Sequence, residues 1–274
     1  GLGDVYKRQV FIHPNQCEVY HMSLISVKEE KCTGCGACVD ECPMKILVMK
    51  TDPSIPAPVK GAWALCIDCG HCVAVCPHGA LSHRLMAVED CPPVAKDIPL
   101  SPESAEQFLR SRRSIRCYRE KPVEKDKIEK LIDIARYAPS GHNSQPLAWT
   151  VVYETGRLKE YASHVIDWMK YLIREMPEMA KTMHMDMVVA GWEFGMDPIF
   201  RGAPHLVICH ADAANSMAPT AAIIALSYLE LAAPSLGVGA CWAGFFDAAM
   251  KFWPPLQTAL GLPPGHAGLG SLML

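Results

Sequence analysis

The sequence predicts an α+β protein of two domains, a small cysteine-rich domain followed by a larger domain of helices and strands. Three observations predict this. Eight of the 13 cysteines fall in two runs of one repeated pattern between positions 32 and 77. Apolar residues recur at helical spacing over 123–137, and a long apolar stretch follows at 220–232. Short apolar runs typical of buried strands occur at 147–153 and 206–209.

The length and composition fit this division. A chain of 274 residues has room for one small and one medium domain. Because 50% of the residues are hydrophobic and 20% are charged, a packed core is expected. We expect the small domain to span 22–90, a linker 91–100, and the large domain 101–274.

The two ends of the chain carry expectations of their own. Residues 1–21 show no periodicity and no convincing strand, and Met22 directly precedes the cysteine-rich segment. We therefore expect 1–21 to be a non-native leader. The final stretch, Gly270–Leu274, resembles a strand that is cut short, so we expect a truncated carboxyl terminus.

The two cysteine runs each follow the pattern C-x2-C-x2-C-x3-C-P, which is typical of bacterial 4Fe–4S proteins. Two-residue gaps wrap a tight loop round three corners of a cubic cluster, and the fourth thiolate must come from elsewhere. In two-cluster proteins the fourth cysteine of each run serves the other cluster. The stretch 23–90 closely resembles the two-cluster bacterial ferredoxins. The resemblance implies two 4Fe–4S clusters, one bound by Cys32, Cys35, Cys38 and Cys76 and the other by Cys66, Cys69, Cys72 and Cys42.

Two other uses of these cysteines are less consistent with the pattern. Structural zinc uses four ligands grouped two and two, whereas here they group three and one. Disulfides suit a small secreted scaffold, and this chain is larger. The two runs also align as an internal duplication that keeps the four cysteines, one glycine and the proline. The remaining cysteines are expected to be buried or incidental thiols: Cys17, Cys91, Cys117, Cys209 and Cys241.

The elements of the small domain follow from apolar alternation and from proline. We expect an entry strand at Leu24–Val27 and a closing strand at Ala80–Leu85. Between the runs, Ile46–Met49 and Gly61–Leu65 are predicted to pair as strands. The link between these two strands is expected to be broken by Pro53, Pro56 and Pro58.

The large domain begins with a helix whose start is well marked. Ser101 can cap it, Pro102 suits its first position, and the helix is expected to reach Ser111. Residues 156–203 are helical in tendency and rich in methionine, which more often fills a core than binds a ligand. The remaining predicted elements are a helix at 123–137, a strand at 147–153, a strand at 206–209, a helix at 220–232 and a strand at 270–274.

Two motifs in the large domain together resemble the nitroreductase family of FMN-dependent enzymes. One is the run from Arg112 to Arg116, and the other is the loop from Pro139 to Pro146. The downstream stretches 202–204 and 236–245 fit the same family, so the resemblance covers 101–274. It implies an α/β/α domain with a mixed central sheet, two-fold dimers, and FMN bound at the subunit interface. The cofactor-binding residues it implies are Arg112, Arg113, Ser114, Arg116, Pro139, Ser140, Asn143, Gln145, Gly244 and Phe245.

The chemistry of these residues agrees with that assignment. A phosphate dianion needs planar bidentate donors and a hydroxyl, which Arg112, Ser114 and Arg116 supply. Asn143 and Gln145 offer amides to the edge of a flavin ring. The alternatives stay open, because arginine runs are usually solvated surface and loop amides are ordinary turn formers. No residue is assigned a catalytic role.

The predicted function is an iron–sulfur flavoprotein oxidoreductase that passes electrons from two 4Fe–4S clusters to FMN and on to an organic acceptor. The acceptor is expected to be a nitroaromatic, a quinone or an enone, and the donor reduced ferredoxin or NAD(P)H. The alternative is an electron-transfer or redox-sensing protein without turnover of its own. A homodimer is expected, with the apolar helix at Thr220–Ala232 as a candidate interface or, equally simply, a buried core helix.

Charge and hydropathy argue against several partners. The net charge is −3 and no basic block occurs, so neither nucleic acid nor a polybasic membrane contact is expected. The longest weakly charged run, Met217 to Phe246, is interrupted by Glu230 and Pro234 and predicts a buried helix followed by a turn. No secretory signal is visible, and the expected clusters favour a reducing cytoplasm.

Overall fold

The computed structural model describes residues 5–6, 23–91 and 100–274, and the structural statements below concern these residues. They form two compact units. The small unit holds the described residues of Val10–Ser101 together with His142–Ser144, and the large unit holds the rest. Most of the expected leader (1–21) and of the expected linker (91–100) lies outside the described residues. The exception in the leader is a two-residue strand, β1 (Val5–Tyr6), where no strand was predicted.

The small unit is built from two antiparallel strand pairs and three short helices. Strand β2 (Ile25–Val27) pairs with β5 (Leu81–His83), as the predicted entry and closing strands require. A second pair joins β3 (Leu47–Met49) to β4 (Pro56–Pro58). The helices are α1 (Ala37–Glu41), α2 (Ala62–Leu65) and α3 (His71–Ala74).

The predicted partner of β3 was wrong. The stretch 61–65 is helical, because Gly61 takes a left-handed conformation (φ 82°) and the following Ala-Trp-Ala-Leu favours a helix. The proline-rich link supplies the strand instead. Proline is tolerated in β4 because a sheet of two strands consists of edge strands only. The hydrogen bonds that flank the two prolines are made by the backbone of other residues. Lys50 N donates to Ile55 O, and Val59 N donates to Ile46 O.

The duplicated cysteine runs have the same local structure. Helices α1 and α3 each follow a glycine in the left-handed region, Gly36 at φ 76° and Gly70 at φ 74°. Side chains with a Cβ rarely adopt this conformation, so both runs need glycine at the turn into the helix. Apolar residues from both halves then form one core, which includes Leu24, Ile46, Leu47, Val73 and Leu81.

The large unit contains a sheet with the strand order β1-β6-β7-β9-β8. Its further strands are β6 (Ala148–Val152), β7 (Leu206–Asp212), β8 (Cys241–Trp242) and β9 (His266–Met273). Its helices are α4 (Pro102–Ser111), α5 (Lys125–Ala135), α6 (Thr155–Glu175), α7 (Pro177–Thr182), α8 (Met185–Glu193), α9 (Ala218–Ala232), α10 (Gly244–Phe252) and α11 (Pro254–Leu260). The sequence analysis predicted neither α10 nor α11.

The sheet differs from the expected mixture of strand directions, since every pairing between described strands is antiparallel. The reason lies in the connections. Val152, at the end of β6, pairs with Leu206, at the start of β7. After helices α6 to α8, the chain therefore re-enters the sheet at the end at which β6 left it. Strand β7 then runs in the direction opposite to β6.

Helices cover both faces of this sheet. Leu206 and Ile208 of β7 belong to one apolar cluster, which includes residues of α6, α8, α10 and α11. Val207 and Cys209 belong to the other, which includes residues of α5 and α9. This alternation confirms the α+β class and the three-layer arrangement.

Helix α9 belongs to the longest apolar segment. Within the described residues, Ala218–Leu236 is the segment long and apolar enough to match a membrane span, a test that core helices also pass. Several residues of α9 are buried, including Leu226, Leu229 and Glu230. This agrees with the predicted buried helix.

Candidate functional site

Four cysteines from both runs line one cavity of the small unit. This first cysteine site consists of Cys32, Cys35, Cys38 and Cys76. Burial raises the pKa of the Cys38 thiol above its ordinary value, and the neighbouring sulfurs of Cys76, Cys35 and Cys32 raise it further.

The other four cysteines line a second cavity. This second cysteine site consists of Cys66, Cys69, Cys72 and Cys42. Burial raises the pKa of Cys72 to about 11, with a further contribution from Cys69 and smaller ones from Cys66 and Cys42. Each cavity therefore takes three cysteines from one run and the fourth from the other.

The chemistry of these two sites suits iron–sulfur clusters. Four thiol groups converge on each cavity, and 4Fe–4S clusters are held by four cysteine thiolates. A raised thiol pKa means that binding a metal cluster here releases protons, because the ligand is the thiolate. The other described cysteines lie outside both sites, and Cys209 is fully buried in the large unit.

Side chains that the sequence analysis did not single out stand beside Cys66. His83 Nε2 lies 3.4 Å from Cys66 Sγ and 3.2 Å from Asp68 Oδ1. Arg84 Nη2 donates to both carboxylate oxygens of Asp68, at 2.8 and 2.7 Å. Burial lowers the pKa of His83, which the Asp68 charge partly opposes. The duplication was a signal that could have pointed to these side chains. The first run has Gly34 at the position equivalent to Asp68, so the acid is a departure from the repeat.

In the large unit, the predicted phosphate-binding segment is anchored by a buried acid. Arg112 Nη1 donates to Glu230 Oε1 at 3.0 Å and lies 3.5 Å from Ser114 Oγ. Glu230 Oε2 accepts a further hydrogen bond from Trp242 Nε1 at 3.1 Å. The sequence analysis treated Glu230 only as an interruption of an apolar run. A lone carboxylate in such a run was the available signal, because buried charges are paired.

The rest of the segment is held through its backbone. Ile115 N donates to Ala240 O at 3.0 Å, and the Ile115 side chain packs where a Cβ at Gly239 would stand. Arg113, which was predicted to bind the cofactor, donates from its Nη1 to the carbonyl oxygens of Arg110 and Arg112 at 2.9 and 2.7 Å. Those carbonyls lie at and just beyond the carboxyl end of α4, where a cation is favourable. Arg116 is exposed.

Gly244 and Phe245, predicted to lie near a flavin ring, are the first two residues of α10 and directly follow β8 and Ala243. Gly244 is exposed and Phe245 is half-buried. One turn further on, Asp247 Oδ1 accepts a hydrogen bond from Ser271 Oγ at 2.5 Å. Burial raises the pKa of Asp247 to about 7, although the Ser271 hydroxyl opposes the shift.

The second predicted flavin motif lies against a separate cavity of the large unit. Pro139, Ser140 and Gln145 line a cavity of about 270 Å³ together with residues of α5 and α9. The backbone N–H of Gln145 donates to Ser140 Oγ at 3.0 Å. None of the residues that line this cavity comes from 112–116.

Asn143 is grouped with the small unit and not with the other predicted flavin residues. Its Nδ2 donates to Cys69 O at 3.4 Å. His142, Asn143 and Gln145 have left-handed backbone conformations, with φ of 52°, 50° and 40°. The loop is thus strained at three positions that have side chains.

Comparison with known proteins identifies the family of the carboxyl-terminal part of the chain, residues 109–274. The nitroreductase family profile matches residues 109–274. The chain belongs to the nitroreductase family. A second profile, that of the 4Fe–4S dicluster domain, matches residues 31–81. Both resemblances deduced from the sequence are thereby confirmed, as is the prediction of a nitroreductase-type oxidoreductase.

Individual relatives agree with this nitroreductase-family assignment. A protein of Burkholderia lata named as an NADH dehydrogenase/NAD(P)H nitroreductase is 28% identical over 163 residues, which is 55% of this chain and 76% of that protein. The structure of a Bacteroides fragilis nitroreductase with bound FMN is similar with a TM-score of 0.50 and 23% identity, over 61% of this chain and 84% of that one. A BluB-like flavoprotein of Clostridium difficile is similar with a TM-score of 0.51 and 17% identity, over 62% and 88%. These two structures have the same fold as the part of this chain that they match.

Proposed function

We propose that this nitroreductase-family chain is an iron–sulfur flavoprotein that passes electrons from two 4Fe–4S clusters to FMN and on to a small organic acceptor. The observation that carries the proposal is the sorting of eight cysteines into two cavities, three from one run and one from the other in each. Two clusters explain this crossed grouping, since it is the ligand arrangement of two-cluster ferredoxins.

FMN is proposed because the large unit supplies donors of the right chemistry. Arg112 and Ser114 stand side by side, and Arg116 is exposed on the same segment. Arginine guanidinium groups and a hydroxyl suit a phosphate dianion. When bound, each cluster carries one electron at a time and FMN takes two, which provides a two-electron equivalent for the acceptor.

We further propose a two-fold homodimer. The cavity lined by Pro139, Ser140 and Gln145 includes no residue of the 112–116 segment. A dimer that brings the first motif of one protomer to the second motif of its partner would complete the FMN site, which agrees with the interface location expected from the family. Exposed apolar residues of α9, Ile223 and Tyr228, are available for such a contact.

The acceptor and the donor are proposed by chemical class. The acceptor is a nitroaromatic, a quinone or an enone, and the donor is reduced ferredoxin or NAD(P)H. The protein is proposed to act in the cytoplasm, where a reducing environment preserves iron–sulfur clusters. Its contribution is to bind and orient the cofactors, and no side chain is required as a nucleophile.

One anaerobic preparation tests the central proposal. We expect about eight irons, about eight acid-labile sulfides and one FMN per chain. The protein is then photoreduced, and a nitroaromatic or a quinone is added in excess. Reoxidation of the flavin absorbance with matching consumption of the acceptor is the expected result. Zinc in place of iron, or no flavin, would overturn the proposal. Full cofactor content without reoxidation would favour the electron-carrier alternative.

A further inference from the structure

A chain of polar contacts in the small unit ends on a sulfur of the second cysteine site. Arg84 holds Asp68 through two donors, with Nε at 3.1 Å and Nη2 at 2.8 Å from the same carboxylate oxygen. That oxygen lies 3.2 Å from His83 Nε2, which in turn lies 3.4 Å from Cys66 Sγ. The His83 side chain is only 2% exposed, so water does not compete for this contact.

The backbone determines which nitrogen of His83 carries the proton. The N–H of Leu85 donates to His83 Nδ1 at 3.3 Å, so Nδ1 is an acceptor. In a neutral imidazole the proton then resides on Nε2. Nε2–H can then donate to Cys66 Sγ, and Asp68 Oδ1 lies 3.2 Å from the same nitrogen.

The internal duplication provides a comparison within the same chain. Pairing each residue with the one 34 positions later aligns Cys32 with Cys66 and extends without a gap to residue 50. At the position equivalent to His83 stands Met49, and at that of Asp68 stands Gly34. Met49 lines the first cysteine site as His83 lines the second. A methionine side chain has no N–H to donate, so of these two equivalent residues only His83 can donate a hydrogen bond from its side chain.

We propose that His83 is a positioning residue that donates a hydrogen bond to Cys66 and makes the cluster of the second cysteine site the more easily reduced of the two. The inference rests on the proposed function, because it needs clusters at both sites. Hydrogen bonds to cysteine sulfur raise a cluster's reduction potential, since they stabilise the extra negative charge of the reduced form. Asp68 and Arg84 orient the imidazole, and the Arg84 charge partly offsets that of Asp68.

The consequence is a direction for electron transfer inside the small unit. An electron that enters at the first cysteine site moves to the second, where it is more stable. Among the positions at which the two runs differ, the proposal depends on two, Gly34 against Asp68 and Met49 against His83.

The test replaces the donor and leaves the ligands in place. His83→Met reproduces the residue of the first half, His83→Gln retains an N–H donor, and Met49→Leu is the matched control at the equivalent position. Each full-length variant is purified anaerobically, assayed for iron and sulfide, and titrated electrochemically with detection of each cluster by electron paramagnetic resonance. We expect His83→Met to lower the equilibrium constant for reduction of one cluster about tenfold, equal to about 59 mV for one electron.

Each outcome has one interpretation. A shift of the higher-potential cluster alone in His83→Met, with a smaller shift in His83→Gln and none in Met49→Leu, supports the proposal. Two clusters with potentials unchanged in His83→Met, or shifted equally, would refute it while the proposed function stands. Wild-type protein that holds no clusters would remove the proposed function itself. If His83→Met loses iron, His83→Gln is the deciding variant. A lowered potential of the higher-potential cluster alone supports the proposal, and unchanged or equally shifted potentials refute it.

Discussion

The Nη1 atom of Arg112 lies 3.0 Å from the Oε1 atom of Glu230, 118 positions further along the chain. The Glu230 side chain is only 8% exposed, whereas that of Arg112 is 40% exposed. The arginine therefore bridges a buried carboxylate and the surface. The same carboxylate binds Trp242, so one acid ties the segment after α4 to strand β8.

Replacing this acid should destabilise the large unit. Glu230→Gln removes the charge that pairs with Arg112 and retains an acceptor for Trp242. We expect the free energy of unfolding to fall by about 1–2 kcal/mol, because a hydrogen bond to a charged group contributes about 1.5–3 kcal/mol and solvent screens part of it at Arg112, whose side chain is 40% exposed. Denaturant unfolding followed by circular dichroism measures the change.

A matched control is available on α4. Glu106 pairs with Arg110 across one helical turn, and both side chains are about 70% exposed. Glu106→Gln should change the free energy of unfolding by less than about 0.5 kcal/mol. Equal effects of the two substitutions would show that the Glu230 pair has no special role.

The contrast between Arg112 and the cysteines shows what sequence can predict here. The crossed grouping of the cysteines was implied by the resemblance of a short stretch to the two-cluster ferredoxins, and the cavities group the cysteines that way. The Arg112–Glu230 pair depends on how α9 packs, which no local pattern encodes. Helix α5 was predictable because Ile128, Leu131 and Ala135 recur at helical spacing, and all three are buried.

The errors have equally local causes. Strand β4 begins and ends with proline, and proline normally argues against a strand, so its pairing with β3 was missed. The strand directions in the sheet depend on where a long helical connection returns, which spacing alone does not show. Helices α10 and α11 have only nine and seven residues. Helix α10 follows a glycine-rich stretch and α11 begins with two prolines, so neither was recognised.

Arg116 should contribute to FMN binding more than its neighbours. Arg112 pairs with Glu230 and Arg113 binds backbone carbonyls, whereas in the described part of the chain Arg116 is exposed and its guanidinium forms no hydrogen bond or ion pair. We expect Arg116→Met to raise the FMN dissociation constant about tenfold or more, because a charge-assisted hydrogen bond to phosphate is lost. Fluorescence titration of flavin-depleted protein measures it.

The control for that titration is Arg110→Met. Arg110 is an exposed arginine on the last turn of α4, paired with Glu106, and it lies outside the predicted motif. The Arg110→Met variant should have an FMN dissociation constant within about twofold of that of wild type, because surface ion pairs contribute little. If both variants bind FMN as wild type does, Arg116 does not hold the phosphate.

Removing one cysteine from the first cysteine site should remove one cluster. Cys38 is buried among Cys32, Cys35 and Cys76, so Cys38→Ser leaves three sulfurs at that cavity and four at the other. We expect iron and sulfide to fall by about half, because we propose one cluster at each site. Cys117→Ser, at an exposed cysteine of the large unit, should retain full iron. Complete loss of iron in Cys38→Ser would show that the sites do not load separately.

Asp247 should make the stability of the large unit depend on pH. Burial raises its pKa to about 7 in the folded chain, whereas a carboxyl group in the unfolded chain titrates near its ordinary value of 3.8. Between those two values the folded state binds the extra proton, so the free energy of unfolding decreases as pH rises through this window. The stabilisation is fully present below the lower pKa and is lost above the higher one.

The substitution Asp247→Asn removes this titration while keeping an acceptor for the Ser271 hydroxyl. Between pH 5.5 and pH 8, wild type should lose about 2 kcal/mol more of its free energy of unfolding than the variant does, since one pKa unit corresponds to about 1.4 kcal/mol. Denaturant unfolding of both proteins at the two pH values measures the difference, and other titrating groups cancel in the comparison. Parallel pH profiles for the two proteins would mean that Asp247 keeps an ordinary pKa and is ionised in the folded chain.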